Sequence, residues 1–247
     1  MKRLLLSLVF GVAVTVVSSL QAAPADDPPV ISESLVSSLL RQAPVLRAEV
    51  LRLALDAAQS AAERGLVAHR NMLAVIDYSL PSSQPRLFVF DLAKQQLLFR
   101  ELVAHGRNSG GDRASYFSNS SGSLATSFGL FVTADTYFGN NGYSLRLKGL
   151  ESGVNDMAWD RLIVMHGASY VSGAAIRALG RLGRSWGCPA VRKEVADKII
   201  NTLRGGSAVF AYYPDKQWLA HSAFFHHGTH AAATVVANAS AGSNGSR

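Results

Sequence analysis

Cysteine is nearly absent from this sequence. Cys188 is the only cysteine among 247 residues, so no two cysteines of the sequence can pair, which excludes the small secreted folds that disulfides hold together. This one thiol lies in the glycine-rich run Gly183-Arg184-Ser185-Trp186-Gly187-Cys188-Pro189. A single cysteine in such a turn is a candidate nucleophile. The alternative is a buried cysteine that packs as a small apolar side chain.

Long apolar runs are also scarce. The main one, residues 4–17, follows Lys2 and Arg3 and is followed by the small residues of 22–25. It has about 14 residues, or roughly 21 Å of helix, against roughly 30 Å of bilayer hydrocarbon. This layout predicts a signal peptide over residues 1–25 and export to the periplasm or cell envelope, with no stable membrane span after cleavage. Exported thiols are normally paired, so an unpaired one suggests chemistry.

Concentrated charge and phosphate-binding loops are missing as well. The 24 Lys and Arg residues exceed the 17 Asp and Glu residues, a balance that suits an anionic cell-envelope polymer and equally suits ordinary solubility. The basic residues are not grouped with aromatic ones, so we expect no nucleic-acid partner. No glycine-rich loop joins a strand to a helix, and so no nucleotide is expected. His226, His227 and His230 have spacing that can bind zinc, but no acidic residue follows Asp215. We expect neither a metal nor a cofactor.

The two ends of the chain differ from its middle. Residues 26–66 are predicted to form a linker and a helical hairpin, because apolar residues recur at three- and four-residue spacing and Pro44 divides the stretch in two. Residues 218–247 consist largely of Ala, Ser, Gly, Asn and His. That composition predicts a disordered tail.

Residues 67–217 form the predicted main domain. Short apolar runs alternate there with glycine- and serine-rich turns, which predicts a mainly β fold, either a sandwich or a barrel-like sheet. Two flanking helices are expected late in the domain, near residues 171–179 and 193–204.

A cysteine nucleophile needs a base, and His166 is the candidate. It directly follows the apolar run 162–165, which is predicted to be a strand. A free thiol has a pKa of about 8.5, so a neighbouring imidazole is the usual means of ionising it near neutrality. Gly167 permits the close approach of a substrate or loop. The alternative is a structural histidine that caps the strand.

The residues next to the thiol could complete the site. The backbone N–H groups of Gly187 and Cys188 are candidate donors to an oxyanion, and Pro189, which has no N–H, limits where donors can lie. Arg184 could hold a peptide carboxylate through two parallel hydrogen bonds. It could equally be an ordinary solvated arginine.

These motifs resemble the L,D-transpeptidases of bacterial peptidoglycan, the YkuD-type catalytic domain. His166-Gly167 and Gly183-Arg184-Ser185-Trp186-Gly187-Cys188-Pro189-Ala190 are similar to the subgroup with a Gly-Arg-Ser-x-Gly-Cys-Pro-Ala run, the murein L,D-transpeptidase catalytic domain family. The similarity spans about residues 70–214 and includes Val103–Gly106, Phe117–Asn119, Gly142–Leu147, Gly149–Glu151, Asn155 and Tyr212–Pro214. The sequence departs from many members at Trp186, where a second histidine is common, and at Ala190, where arginine or asparagine is common. The 18 residues between His166 and Ser185 are also slightly more than usual.

The resemblance implies a mostly β fold and an acyl transfer on peptidoglycan tetrapeptide stems. Cys188 would attack the carbonyl that joins the third residue to the terminal D-alanine, and His166 would take the thiol proton and pass it to the leaving amine. An amine of a second stem would resolve the thioester to a 3-3 cross-link, or a free D-amino acid would exchange the D-alanine. Ser185, Gly187 and Gly167 would support the reaction, and a main-chain carbonyl just after His166 would orient the imidazole.

His105 resembles a substrate-cleft element of the subgroup, although a turn after a strand would give the same sequence. Tyr143 and Asn119 are further candidates to line the cleft; the alternatives are core or rim packing for the tyrosine and an ordinary loop for the asparagine. With Arg184 they make up the candidate substrate-binding set. Stem peptides are the implied partner. Three alternatives stay open: an L,D-carboxypeptidase that uses water as acceptor, a peptidoglycan-binding module with an inactive thiol, and a zinc-dependent wall peptidase. The sequence does not determine the acceptor or the oligomeric state.

Overall fold

The computed structural model of this chain describes residues 31–225. The predicted signal peptide and the three histidines from His226 to His230 lie outside this range. Within it, nine strands form one sheet: β1 (His69–Asp77), β2 (Leu87–Asp91), β3 (Gln96–Glu101), β4 (Val103–Ala104), β5 (Gly129–Gly139), β6 (Gly142–Gly149), β7 (Val164–Ala168), β8 (Ala190–Arg192) and β9 (Ser207–Tyr212).

Five α-helices accompany the sheet in the described range: α1 (Glu33–Gln42), α2 (Ala48–Glu63), α3 (Gly173–Leu179), α4 (Lys193–Leu203) and α5 (Lys216–His221). A short 3-10 helix spans Asp156–Ala158. No helix among residues 31–225 is long and apolar enough to cross a membrane.

The sheet curls until its two edges meet. Its strand order is β3-β2-β1-β9-β5-β6-β7-β8-β4, so the edge strands β3 and β4 are separated along the chain by Leu102 alone. One residue cannot cross a wide flat sheet, because an extended chain advances about 3.3 Å per residue. Arg192 of β8 also forms a two-point ion pair with Glu101 of β3, at 2.7 and 2.8 Å, across this junction. The sheet is therefore barrel-like, and the predicted fold class is confirmed.

Both faces of the central strands are buried. In β1, Leu73 and Val75 pack with the helical hairpin on one face, whereas Ala74 and Ile76 pack on the other face with α4. Because successive side chains of a strand point to opposite faces, two-sided burial requires continuous apolar runs rather than alternating ones. This is the pattern that the sequence has in β1, β2 and β9.

The helical hairpin divides where proline predicts. Helix α1 ends at Gln42 and α2 begins at Ala48, so Pro44 lies in the connection. Gly65 follows α2 in a left-handed conformation with φ of +72°, the usual way for glycine to end a helix. Leu51, Leu53 and other apolar residues of α2 are fully buried in the core beneath it.

The segment after residue 217 differs from expectation. Helix α5 and the turn after it bury Trp218, Phe224 and Phe225 to 4 % exposure each, so residues 218–225 are packed and not disordered. The indole N–H of Trp218 donates to Glu151 at 2.7 Å, and the Ser222 hydroxyl donates to the same carboxylate oxygen at 2.6 Å. The sequence did not predict this packing, because Trp218, Phe224 and Phe225 stand in an otherwise polar stretch and pack against residues that are distant in the sequence. Residues 226–247 lie outside the described range.

Candidate active site

Two neighbouring parallel strands position the candidate nucleophile and base. His166 of β7 is the register partner of Ala190 in β8, and Cys188 stands two residues before that partner. The backbone N–H of Val164, two residues before His166, donates to the Cys188 sulfur at 3.4 Å. Positions two apart on a strand share a face and lie about 7 Å apart. The imidazole is therefore the next side chain along β7 from the sulfur.

The Cys188 thiol is largely buried and neutral. Only 9 % of the residue is exposed, and its sulfur lies 3.6 Å from the Leu162 carbonyl, to which the S–H donates. Burial raises the pKa of the thiol, and the Val164 N–H and the charge of Arg161 offset part of that rise. Within residues 31–225, the His166 ring is not among the hydrogen-bond partners of the sulfur.

The His166 imidazole is held in the tautomer that a base requires. Its Nδ1 lies 3.1 Å from the carbonyl of Gly167, and because a carbonyl can only accept, Nδ1 carries the proton and Nε2 keeps a free lone pair. Burial lowers the pKa of His166, while the Gly167 carbonyl acts in the opposite direction. The ring is consequently neutral near neutral pH and able to accept a proton.

Gly167 is needed for packing. A Cβ there would lie 2.9 Å from the Cβ of Ala196 and 3.2 Å from the backbone of Lys193. The sequence suggested that a substrate or loop approaches Gly167 closely. In the structure the close neighbour is the first turns of α4, the helix that directly follows β8.

Ser185 organises the turn that carries the thiol, residues 183–189, which we call the cysteine turn. Its hydroxyl donates to the Cys188 carbonyl at 2.6 Å and accepts from the Gly187 N–H at 3.1 Å. Its own N–H donates to the carbonyl of His105 at 3.0 Å. The Gly187 N–H is thus already engaged, which leaves the N–H of Cys188 as the available oxyanion donor of the expected pair. That N–H faces its own sulfur, where it also lowers the thiol pKa.

A groove with a volume of about 460 Å³ opens beside His166. Among its lining residues are His166, Tyr143, Tyr170, Lys193 and Asp197. The Tyr143 hydroxyl donates to Asn201 at 2.9 Å. Burial, and to a lesser extent Cys188 when it is ionised, raises the pKa of Tyr170 to about 12. Tyr143 therefore shares a groove with the candidate base. Cys188 itself does not line this groove.

The remaining predicted substrate residues lie elsewhere. Arg184 donates to the carbonyls of Gly110 and Arg107, at 2.8 and 3.3 Å, which ties the cysteine turn to the loop after β4. Asn119 bonds Asp156 at 2.6 Å and lines a second groove of about 880 Å³ that includes Glu151 and Trp218. The structure does not bring Asn119 to the groove beside His166.

His105 is buried behind the cysteine turn and lines neither groove. Its Nδ1 lies 2.7 Å from Nη2 of Arg86. A guanidinium can only donate, so Nδ1 accepts and the ring proton is on Nε2, which is buried without a hydrogen-bond partner. Burial and the Arg86 charge lower the pKa of His105 to about 4.

Sequence reasoning missed one residue of this site. Arg161 is half-buried and donates to the Ala125 carbonyl, which lies against Gly187, and its charge lowers the pKa of Cys188. It stands in the run Asp160-Arg161-Leu162, where nothing distinguishes it from any charged loop residue. No group of three or more metal-binding side chains lies together within residues 31–225.

Comparison with known proteins agrees with the motifs. A family model described as YkuD_2, L,D-transpeptidase catalytic domain, matches residues 42–212. None of the curated proteins matches the chain.

Solved L,D-transpeptidase structures resemble the chain at low identity. One from Mycobacterium smegmatis is 12 % identical, with 58 % of this chain and 59 % of that chain covered and a TM-score of 0.36. One from Stackebrandtia nassauensis is 16 % identical, with 72 % and 76 % covered and a TM-score of 0.36. One from Mycobacterium tuberculosis H37Rv is 17 % identical, with 58 % of each chain covered and a TM-score of 0.33. The chain spans about three fifths of the Mycobacterium smegmatis structure.

The family match covers more than half of the chain and contains both β7, which carries His166, and the turn before β8, which carries Cys188. This protein belongs to the L,D-transpeptidase catalytic domain family.

Proposed function

We propose that this protein is an exported L,D-transpeptidase that forms a thioester on Cys188 with peptidoglycan tetrapeptide stems. The observation that carries the proposal is the placement of Cys188 in the turn before β8, against Val164 of β7 and two residues along that strand from His166, with Nδ1 of the imidazole held by the Gly167 carbonyl. The predicted signal peptide supports export to the periplasm or cell envelope.

The acylation step follows from the protonation states. Nε2 of His166 accepts the thiol proton as the sulfur attacks the carbonyl between the third stem residue and D-alanine. A C–S bond forms, the C–N bond to D-alanine breaks, and the imidazolium returns the proton to the leaving amine. The N–H of Cys188 stabilises the oxyanion of the intermediate.

The second step regenerates the thiol. The amine of a neighbouring stem attacks the thioester carbonyl, His166 takes one of its protons, and the C–S bond breaks as the proton returns to sulfur. Attack by water in the same position would make the protein an L,D-carboxypeptidase. A free D-amino acid would instead exchange the terminal residue.

The groove beside His166 suits a stem peptide. Lys193 and Asp197 place one charge of each sign along it, and Tyr143 and Tyr170 add apolar surface with polar tips. A stem peptide carries both a carboxylate and the amine of its diamino acid. The lysine is suited to the first of these groups and the aspartate to the second.

A second candidate is a peptidoglycan-binding module whose thiol is unreactive. The burial of Cys188, its raised pKa and its hydrogen bonds to backbone rather than to His166 favour this alternative. The two candidates differ in one respect, namely whether the sulfur becomes acylated.

Intact-protein mass spectrometry tests the proposal. The full chain is incubated with a carbapenem, or with a tetrapeptide stem, and compared with the Cys188→Ala variant. We expect wild type to gain the mass of one acyl group and the variant to gain none. Wild type that gains no mass from either donor would refute the transpeptidase and leave the binding module.

Purified cell wall then distinguishes the acceptors. Muropeptides with new 3-3 cross-links, formed by wild type and not by Cys188→Ala, support transpeptidation. Tripeptide stems without new cross-links would identify the carboxypeptidase instead. Activity that survives Cys188→Ala and is lost with a chelator would favour the zinc peptidase.

A further inference from the structure

Arg161 makes four hydrogen bonds to a single loop. One nitrogen donates to the Ser118 carbonyl and the Ser127 hydroxyl, both at 2.5 Å, and the other donates to the Ser123 hydroxyl at 3.1 Å and the Ala125 carbonyl at 2.6 Å. All four acceptors belong to residues 118–127, which we call the serine loop. One guanidinium thus fixes the whole of this loop.

The serine loop lies directly against the cysteine turn. The Thr126 hydroxyl donates to the Gly187 carbonyl at 3.1 Å. The Ala125 carbonyl is so close to Gly187 that a Cβ there would approach it to 2.8 Å. The chain of contacts runs from Arg161 through Ala125 and Thr126 to the residue before the nucleophile. A shift of the guanidinium would therefore be felt at Cys188.

The charge of Arg161 has no carboxylate partner. Among residues 31–225, no acidic side chain forms an ion pair with it, and all four of its acceptors are neutral oxygens. A half-buried cation without a counter-ion is costly, because partial burial removes its water. The anion that could face it is the Cys188 thiolate, since each charge shifts the pKa of the other toward the ionised form.

The other titratable groups near the sulfur do not replace this charge. Tyr78 after β1 and Tyr170 after β7 both have a raised pKa from burial and are neutral near neutral pH. His166 is neutral for the reason given above. Arg86 lies behind Tyr78, with its guanidinium 5.0 Å from the ring centroid. Arg161 is the one cation that directly influences the pKa of Cys188 among these residues.

We propose that Arg161 is a positioning residue for the nucleophile: its hydrogen bonds hold the serine loop against the cysteine turn, and its positive charge stabilises the Cys188 thiolate. The catalytic meaning of this role rests on the proposed function. The physical effect on the thiol does not, so the two can fail separately.

Alkylation of the thiol measures the effect. The rate of Cys188 modification by iodoacetamide is followed by intact mass from pH 6 to pH 11.5 for wild type and variants. Arg161→Gln removes the charge, Arg161→Lys keeps a charge but loses the planar fork, and Ser127→Ala removes one loop hydrogen bond with the charge intact. Arg41→Gln on α1 removes one charge far along the chain and serves as the matched control.

We expect Arg161→Gln to raise the alkylation midpoint by about one pH unit. The thiolate fraction at pH 7 then falls about tenfold, but a more basic thiolate is about threefold more nucleophilic, so the rate falls about threefold. Arg161→Lys should lie between Arg161→Gln and wild type. Ser127→Ala and Arg41→Gln should keep the wild-type midpoint.

A folded Arg161→Gln variant with the wild-type midpoint would overturn the proposal. If Arg161→Gln does not fold, Arg161→Lys tests the proposal instead. A wild-type midpoint and alkylation rate in Arg161→Lys would mean that the guanidinium and its hydrogen bonds to the serine loop have no effect on Cys188, which would also overturn the proposal. A shifted midpoint in a protein that no acyl donor modifies would retain the role of Arg161 and refute the transpeptidase.

Discussion

Burial acts on Cys188 and His166 in opposite directions. It raises the pKa of the thiol, because the thiolate is the charged form, and lowers the pKa of the imidazole, because the imidazolium is the charged form. Both groups are consequently neutral at rest. In the proposed reaction, a neutral pair implies that the proton moves during attack on the substrate rather than before it, as in general-base catalysis and unlike a preformed ion pair.

The base role of His166 predicts the pH dependence of acylation. The free lone pair on Nε2 is lost on protonation, so activity should fall as the pH drops through the pKa of His166, which lies below the ordinary value of 6.5. His166→Ala should slow acylation at pH 7 by about 10²–10⁴-fold. Alkaline pH should restore part of the loss, because hydroxide then ionises the thiol. Acylation rates from pH 5 to pH 10 measure both effects.

His69→Ala is the control for losing a histidine, since His69 lies at the start of β1 and outside the groove beside His166. A His166→Ala variant that acylates at the wild-type rate at every pH would contradict the base role.

At the scale of elements, a three-residue strand and a glycine set the site. Strand β8 begins two residues after Cys188 and fixes the turn against β7. Gly187, the residue before Cys188, has a backbone φ of +125°, a conformation that residues with a Cβ rarely adopt. A Cβ at that position would also lie 2.8 Å from the Ala125 carbonyl and 3.0 Å from Ile163. Both the conformation and the space therefore require glycine.

Two glycine-to-alanine variants separate these requirements. Gly65 also has positive φ, +72°, but a Cβ there meets nothing within 4 Å, so Gly65→Ala should cost about 1–2 kcal/mol of unfolding free energy from backbone strain. Gly187→Ala should cost a further 1–3 kcal/mol, roughly, from overpacking and should also lose acylation. Urea unfolding and acyl-enzyme mass measure the two effects. Equal stability of the two variants with normal acylation of Gly187→Ala would show that the turn adapts.

At the scale of the whole molecule, a buried charge stands where the sheet closes. Arg86, the residue before β2, is fully buried, and burial lowers its pKa to about 10. Its guanidinium donates twice to the Val103 carbonyl of β4, at 3.1 and 2.9 Å, and once to His105. Arg86 therefore links the start of the β2 segment to the edge strand β4 and also contacts His105, whose carbonyl accepts from the Ser185 N–H.

This arrangement predicts loss of stability in acid. His105 binds a proton at about pH 4 in the folded state and near pH 6.5 when unfolded. Between these values the unfolded chain binds more protons, so the unfolding free energy falls as the pH falls. From pH 7 to pH 4.5 the contribution is about 2 kcal/mol. His105→Gln, which can still accept from Arg86, should lack that part of the pH dependence.

Urea unfolding of both proteins at pH 7 and pH 4.5 measures the difference. Carboxylate contributions are common to the two proteins and cancel in the comparison. The same pH dependence in wild type and His105→Gln would mean that His105 is not buried in its neutral form.

The sequence by itself determined the two candidate reacting residues, the hairpin and most of the strands. These depend on local signals: a glycine-rich run around one cysteine, a histidine after an apolar run, and a proline between two amphipathic stretches. Apolar runs identify strands because two-sided burial needs every side chain to be apolar. The family resemblance came from the same short motifs.

Tertiary structure alone decided which residues meet. Arg161 acts on Cys188 across 27 positions of sequence, the Trp218 indole finds Glu151, and the edges of the sheet close beside Leu102. Asn119 lines the groove that includes Glu151 and Trp218, and it does not line the groove beside His166. Such pairings depend on the path of the whole chain, because hydrogen bonds and charges act between neighbours in space. No local pattern encodes them.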